Sequence, residues 1–110
     1  MTSTTIPADI LAELEGLRDA FRADAAGLVD ALAADWDGAG PEPSPEALRD
    51  LVRQAHSLAG TAGSFALAAL SARARDVEEF LDEVAGSAGA IPLASGERLL
   101  GALRDAARPA

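Results

Sequence analysis

The sequence predicts an all-α fold, an antiparallel up-and-down four-helix bundle made by a single domain of residues 1–110. Three observations carry that expectation. Apolar side chains recur at spacings of three and four in four separate segments, the signature of amphipathic helices. Aromatic residues are scarce, with three Phe, one Trp and no Tyr, so the core must be Leu, Val and Ala, which suits close-packed helices better than a sheet. No strand pattern or internal repeat interrupts the segments, and their short or moderate connections favour antiparallel neighbours.

The first helix spans about 7–36. Pro7 suits a first turn and Asp9 lies beside the positive helix end. Ile10, Leu14, Leu17, Phe21, Ala25, Leu28, Leu32 and Trp36 form its stripe, with Trp36 read as a core plug. Gly16 and Gly27 leave open a kink or a split into two shorter helices. Asp37 to Pro43, rich in Gly and Pro, is a connector.

The second helix, about 44–65, starts on Ser44-Pro45-Glu46: a capping hydroxyl, a proline at the first helical position and an acid in the first turn. Its stripe is Leu48, Leu51, Ala55, Leu58, Ala62 and Phe65. The third, about 67–85, aligns Leu67, Leu70, Ala74, Val77, Leu81 and Val84, with Phe80 beside them. Its acidic run Asp76, Glu78, Glu79, Asp82 and Glu83 reads as a solvated face, Glu78 being the carboxylate best placed to orient a ring or an arginine across the bundle. Ala85 to Ala90 is expected to be a flexible connector. Ser95 is expected to cap a last helix, about 95–107, with Leu99, Leu100, Leu103 and Ala106 or Ala107 inward.

Composition narrows the function. The absence of cysteine excludes disulfides, thiolate metal sites and cysteine nucleophiles. The formal charge of −9 argues against nucleic acid or an anionic membrane as partner. No run of 18 apolar residues occurs, and the start lacks a basic and an apolar leader region, so a cytoplasmic location is the default expectation. The charge is uneven. Residues 44–75 carry four arginines against Glu46 and Asp50, whereas the flanking thirds are strongly acidic. All nine basic residues are arginine.

The net-positive third surrounds His56, the only histidine. Gly60 and Gly63 follow it at four and seven residues, so all three share one helical face. Each glycine costs a helix interior about 1 kcal/mol relative to alanine, so a partner is expected to approach the cleared surface. Val52 and Ala59 are same-face neighbours, and Arg49 and Arg53 lie within one or two turns. No carboxylates have a ligand-like spacing around His56, which makes a metal site a poor reading. Ser57 points about 100° away from the ring, which disfavours a hydrolytic triad.

Nucleophilic use of the imidazole fits better. At neutral pH an imidazole is mostly uncharged and offers a lone pair without needing a separate base. Phosphoryl transfer is mainly positioning and charge stabilisation, which a docking partner with its own Mg²⁺ could supply. The chain has no nucleotide-binding loop, since Gly60-Thr61-Ala62-Gly63 lacks the required lysine and follows no strand. It is therefore expected to be a carrier without its own ATP site.

The stretch His56-Ser57-Leu58-Ala59-Gly60-Thr61-Ala62, followed by Phe65, Leu70, Ala74 and Val77-Glu78, resembles histidine-containing phosphotransfer (HPt) domains. Their pattern reads His-x-Leu-Lys-Gly-Ser/Thr-Ala, then an apolar residue, a glycine, a leucine and later Leu-Glu. The motif covers about a quarter of the chain and the four-helix layout nearly all of it. The resemblance implies a phosphorelay intermediate of a two-component system. His56 would take a phosphoryl group from a receiver aspartate or a histidine or hybrid kinase and pass it to a response-regulator receiver. Arg53, Val52, Ala59, Gly60 and Gly63 would form the phosphoryl environment and docking surface. The domain would hold no cofactor, the Mg²⁺ belonging to the receiver, and a self-sufficient bundle would be monomeric.

Two positions depart from the pattern. Ala59 stands where the family usually has lysine, so positive charge near the phosphate must come from arginine, with Arg53 the first choice. Ala66 occupies the usual glycine position, where left-handed backbone would cost about 1–2 kcal/mol, so the helix is expected to end differently, around Gly63-Ser64. The missing lysine motivates an alternative, a non-catalytic adaptor that binds a receiver or kinase without being phosphorylated. The dimerisation helices of a histidine kinase are disfavoured, because their His-Glu-x-x-x-Pro pattern is absent.

Overall fold

A computed structural model describes residues 7–87 and 91–108, which form four helices and no strand. They are α1 (Ala8–Ala39), α2 (Pro45–Ser64), α3 (Ala68–Gly86) and α4 (Leu93–Ala107). Each helix packs on its two neighbours in the ring, α4 closing on α1, and α2 with α3 is the most extensive pair. The arrangement is the antiparallel four-helix bundle that the stripes predict.

α1 is one continuous helix, so neither Gly16 nor Gly27 splits it. It also runs three residues beyond the predicted end. Asp37, Gly38 and Ala39 continue the helix, and Gly40 stops it at φ 73°, its N–H reaching the Asp37 carbonyl. Glycine adopts that left-handed backbone without strain, and Pro41 then cannot continue the helix.

The Ser44 hydroxyl accepts the Ala47 N–H at 3.1 Å, capping α2 as its sequence predicts. At the other end α2 stops at Ser64, where the sequence places its end. The left-handed residue nevertheless remains: Ala66 has φ 58°, the only non-glycine with positive φ among the described residues. The Ala66 N–H reaches the Gly63 carbonyl at 3.0 Å and the Leu67 N–H the Ala62 carbonyl at 2.9 Å, a Schellman closure. Burial of Leu67 beside Ala62 in the core holds the strained residue in place.

α4 begins two residues earlier than predicted, and Ser95 is not its cap. Pro92 precedes the helix with its φ preset at −79°, and its carbonyl accepts the N–H groups of Ser95 and Gly96. Ser95 instead lies in the first turn and accepts from Arg98. Of the predicted connector, Ala85 and Gly86 belong to α3; Ala88, Gly89 and Ala90 lie outside the described residues, as does the chain start, 1–6.

The core is Ala25, Val29, Leu32 and Trp36 from α1, Leu51, Ala55, Leu58, Ala59 and Ala62 from α2, with Leu70, Ala74, Val77, Leu81, Leu100 and Leu103 opposite. Trp36 is buried, edge-on to Phe80 at 5.7 Å between ring centroids. Gly96 lets α4 approach this pair. A Cβ there would come 2.5 Å from Trp36 Cζ2 and 3.1 Å from Phe80 Cε2.

One part of the predicted core is not core. Ile10, Leu14, Leu17 and Leu28 are about half exposed. α1 has 32 residues against 20, 19 and 15 for the others, so its first turns, with Ile10, Leu14 and Leu17, extend past the bundle, whereas Leu28 lines an open groove between α1 and α2. Contact begins where Arg18 Nε donates to the Phe65 carbonyl and Phe21 stacks on Phe65 at 5.2 Å.

Candidate functional site

α2 presents one face to α3 and α1 and leaves the other in solvent. Ala55, Leu58, Ala59 and Ala62 point inward, while Arg53, His56, Ser57, Gly60 and Thr61 are exposed. His56 is on this outer face with its side chain 73% exposed. Its Nδ1 lies 2.8 Å from Oε2 of Glu78, which reaches across from α3 and is itself only 23% exposed.

That contact sorts the two ring nitrogens. A carboxylate can only accept, so Nδ1 donates. In the neutral ring the lone pair then resides on Nε2. Glu78 also faces any positive charge the imidazole gains when Nε2 forms a bond. The acidic face of α3, read from the sequence as mostly solvated, thus contributes one carboxylate to the site.

The other predicted residues divide. Gly60, one turn on from His56, is exposed, and a Cβ there would meet nothing within 4 Å, so the surface beside the ring is open. Gly63 is exposed too, but a Cβ there would touch Ser71 Oγ at 3.4 Å, so this glycine borders the α2–α3 contact. Val52 is half-buried against the core. Ala59 is 3% exposed, and its carbonyl accepts the Ser71 hydroxyl at 2.9 Å. The methyl at the lysine position is therefore packed under α3 rather than offered to a partner.

Arg53 is exposed and its guanidinium is held by Asp50, one turn back. Asp50 also accepts from Gln54 at 2.9 Å. The Gln54 hydrogen bond and then the Arg53 guanidinium hold the Asp50 carboxyl below its ordinary value of 3.8. Arg49 pairs with Glu46 at 3.7 Å and Arg73 with Asp76 at 3.4 Å. Most of the positive charge around His56 is thus already neutralised locally.

Sequence reasoning missed a groove of 370 Å³ between α1 and α2, lined by Phe21, Leu28, Leu58, Ser57 and Thr61 among others. Its signal was Leu28, a stripe residue that α2 does not cover. Among the described residues no group of three His, Asp or Glu side chains could hold a metal ion, and no helix is long and apolar enough to cross a membrane.

The model of the Hpt domain family matches residues 16–108, nearly the whole chain. The chain belongs to the Hpt domain family. No curated protein and no solved structure matches it. Hpt domains carry phosphoryl groups in two-component signalling, as carriers rather than as enzymes in the ordinary sense, and they work with receiver domains and kinases. The matched region includes the whole α2–α3 pair and so the His56–Glu78 contact.

Proposed function

We propose that this Hpt domain is a phosphorelay intermediate whose carrier atom is His56 Nε2. The observation that supports it is an exposed imidazole whose Nδ1 is engaged by Glu78, leaving the outward nitrogen as the nucleophile. In the forward step the Nε2 lone pair attacks the phosphorus of an aspartyl phosphate on a receiver, or of a kinase-borne phosphoryl group. The bond between phosphorus and the donor atom breaks, phosphorus–oxygen for the aspartyl phosphate or phosphorus–nitrogen for a kinase phosphohistidine, and its electron pair leaves with that donor atom. The imidazole then bears the phosphoryl group on Nε2 and the proton on Nδ1, against Glu78. Donation to a second receiver reverses these events.

The chain's part is positioning and charge compensation, and the receiver supplies the divalent cation. Gly60 leaves room for the loops around the receiver's aspartate. Val52, Gly63 and the groove beside Leu28 offer apolar and backbone surface next to it. Arg53 joins this surface as a charge that a partner can recruit from Asp50.

Burial of Ala59 where the family has lysine favours one alternative, an adaptor that docks without taking phosphate. The experiment that separates them is incubation with a phosphorylated receiver, followed by assay for acid-labile, alkali-stable phosphate. Label on the wild type and none on His56→Gln is the expected result. Unlabelled wild-type protein that still binds the receiver, with affinity unchanged in His56→Gln, identifies the adaptor.

A further inference from the structure

Ser71, Arg75 and Glu78 stand four and three residues apart on α3 and so share one stripe. The two ends of that stripe are pinned to the site helix. Ser71 Oγ donates to the Ala59 carbonyl, and Glu78 Oε2 holds His56 Nδ1. Arg75 lies between them, level with the turn of α2 that carries both His56 and Ala59. Its residue is exposed, and among the described residues it makes no ion pair and no hydrogen bond.

That distinguishes it from the other arginines of the net-positive third. Arg49, Arg53 and Arg73 are each engaged by a carboxylate three residues away. Glu78, the acid three residues beyond Arg75, is turned to the histidine instead. The acid at the spacing that engages the other three arginines is thus turned to the ring, and Arg75 stays unpaired on the same stripe.

We propose that Arg75 binds the phosphoryl oxygens once His56 is phosphorylated, supplying from α3 the positive charge that the buried Ala59 cannot supply from α2. This rests on His56 Nε2 being the acceptor. The planar guanidinium suits two phosphoryl oxygens at once, and its charge is permanent. A phosphoryl group on Nε2 adds negative charge next to Glu78, and Arg75 offsets that repulsion from the same helix face. Arg75 would act as a binding residue for the phosphorylated state, with no part in the resting fold.

The test charges the full chain directly with phosphoramidate, which needs no receiver or kinase, and follows phosphohistidine by phosphorus NMR at fixed pH. Arg75→Ala is expected to lose phosphate about three- to fivefold faster than the wild type and to shift the phosphorus resonance, in keeping with an exposed charge pair. Arg75→Lys is expected to restore part of the lifetime, and Arg73→Ala, whose arginine is tied to Asp76, to match the wild type. A charged His56 whose lifetime and resonance are unchanged in Arg75→Ala overturns this assignment alone. Failure of His56 to accept phosphate at all overturns the carrier role and this inference together.

Discussion

Glu78 is the residue on which the chemistry proposed for His56 turns. As a carboxylate it fixes the proton on Nδ1, and under the proposed function it would oppose the charge that the ring gains on phosphorylation. Glu78→Gln keeps the shape but offers an amide that can donate as well as accept, so the tautomer is no longer dictated. The rate of phosphoryl uptake is expected to fall about tenfold, the scale on which groups orienting a functional histidine act. Thermal stability is expected to change little, because the histidine end of the pair is 73% exposed and the contact is solvent-screened there. Rapid-quench phosphorylation kinetics alongside a melting curve check both halves. A large loss of stability with an unchanged rate would make Glu78 a structural partner only.

At the scale of the helices, two positions store the cost of bringing elements together. Ala66 holds the α2–α3 turn in left-handed backbone at about 1–2 kcal/mol. Ala66→Gly is expected to stabilise the domain by about 0.5–1 kcal/mol in urea unfolding, part of the relief being offset by the freer unfolded chain. Gly96 is the opposite case. Gly96→Ala drives a methyl into the Trp36 ring and is expected to cost about 1–3 kcal/mol in the same assay. The sequence marked the first of these and not the second. Ala66 was conspicuous because it replaced a glycine of the family pattern, whereas Gly96 looked like an ordinary helix residue after a supposed cap. Its role depends on the distance between α4 and the Trp36–Phe80 pair, which no local pattern encodes. For the same reason the stripe identified which face of α2 is buried but could not say that Ala59 lies under Ser71 or that Gly63 borders it.

Across the whole molecule, unequal helix lengths decide what is core. The described residues extend 58 × 27 × 21 Å, and the first turns of α1 account for much of the elongation. Periodicity assigned Ile10, Leu14 and Leu17 to the same stripe as Leu32, but it carries no information about how far the neighbouring helices reach. Leu17→Ala is expected to change stability by less than about 0.5 kcal/mol, while Leu32→Ala is expected to cost about 2–5 kcal/mol. Equal losses in paired denaturant titrations would mean that the overhang is packed. The bundle otherwise places the exposed His56, the Glu78 carboxylate that engages it and one unpaired arginine on the α2–α3 face, and the rest of the chain holds them there.

On the proposed function, phosphate resides on His56 Nε2 because Nδ1 is held by Glu78. Long-range nitrogen–phosphorus NMR on the phosphorylated, ¹⁵N-labelled domain tests it directly. Coupling to Nε2 with the proton on Nδ1 is the predicted result; phosphorus on Nδ1, or none on His56, would contradict it.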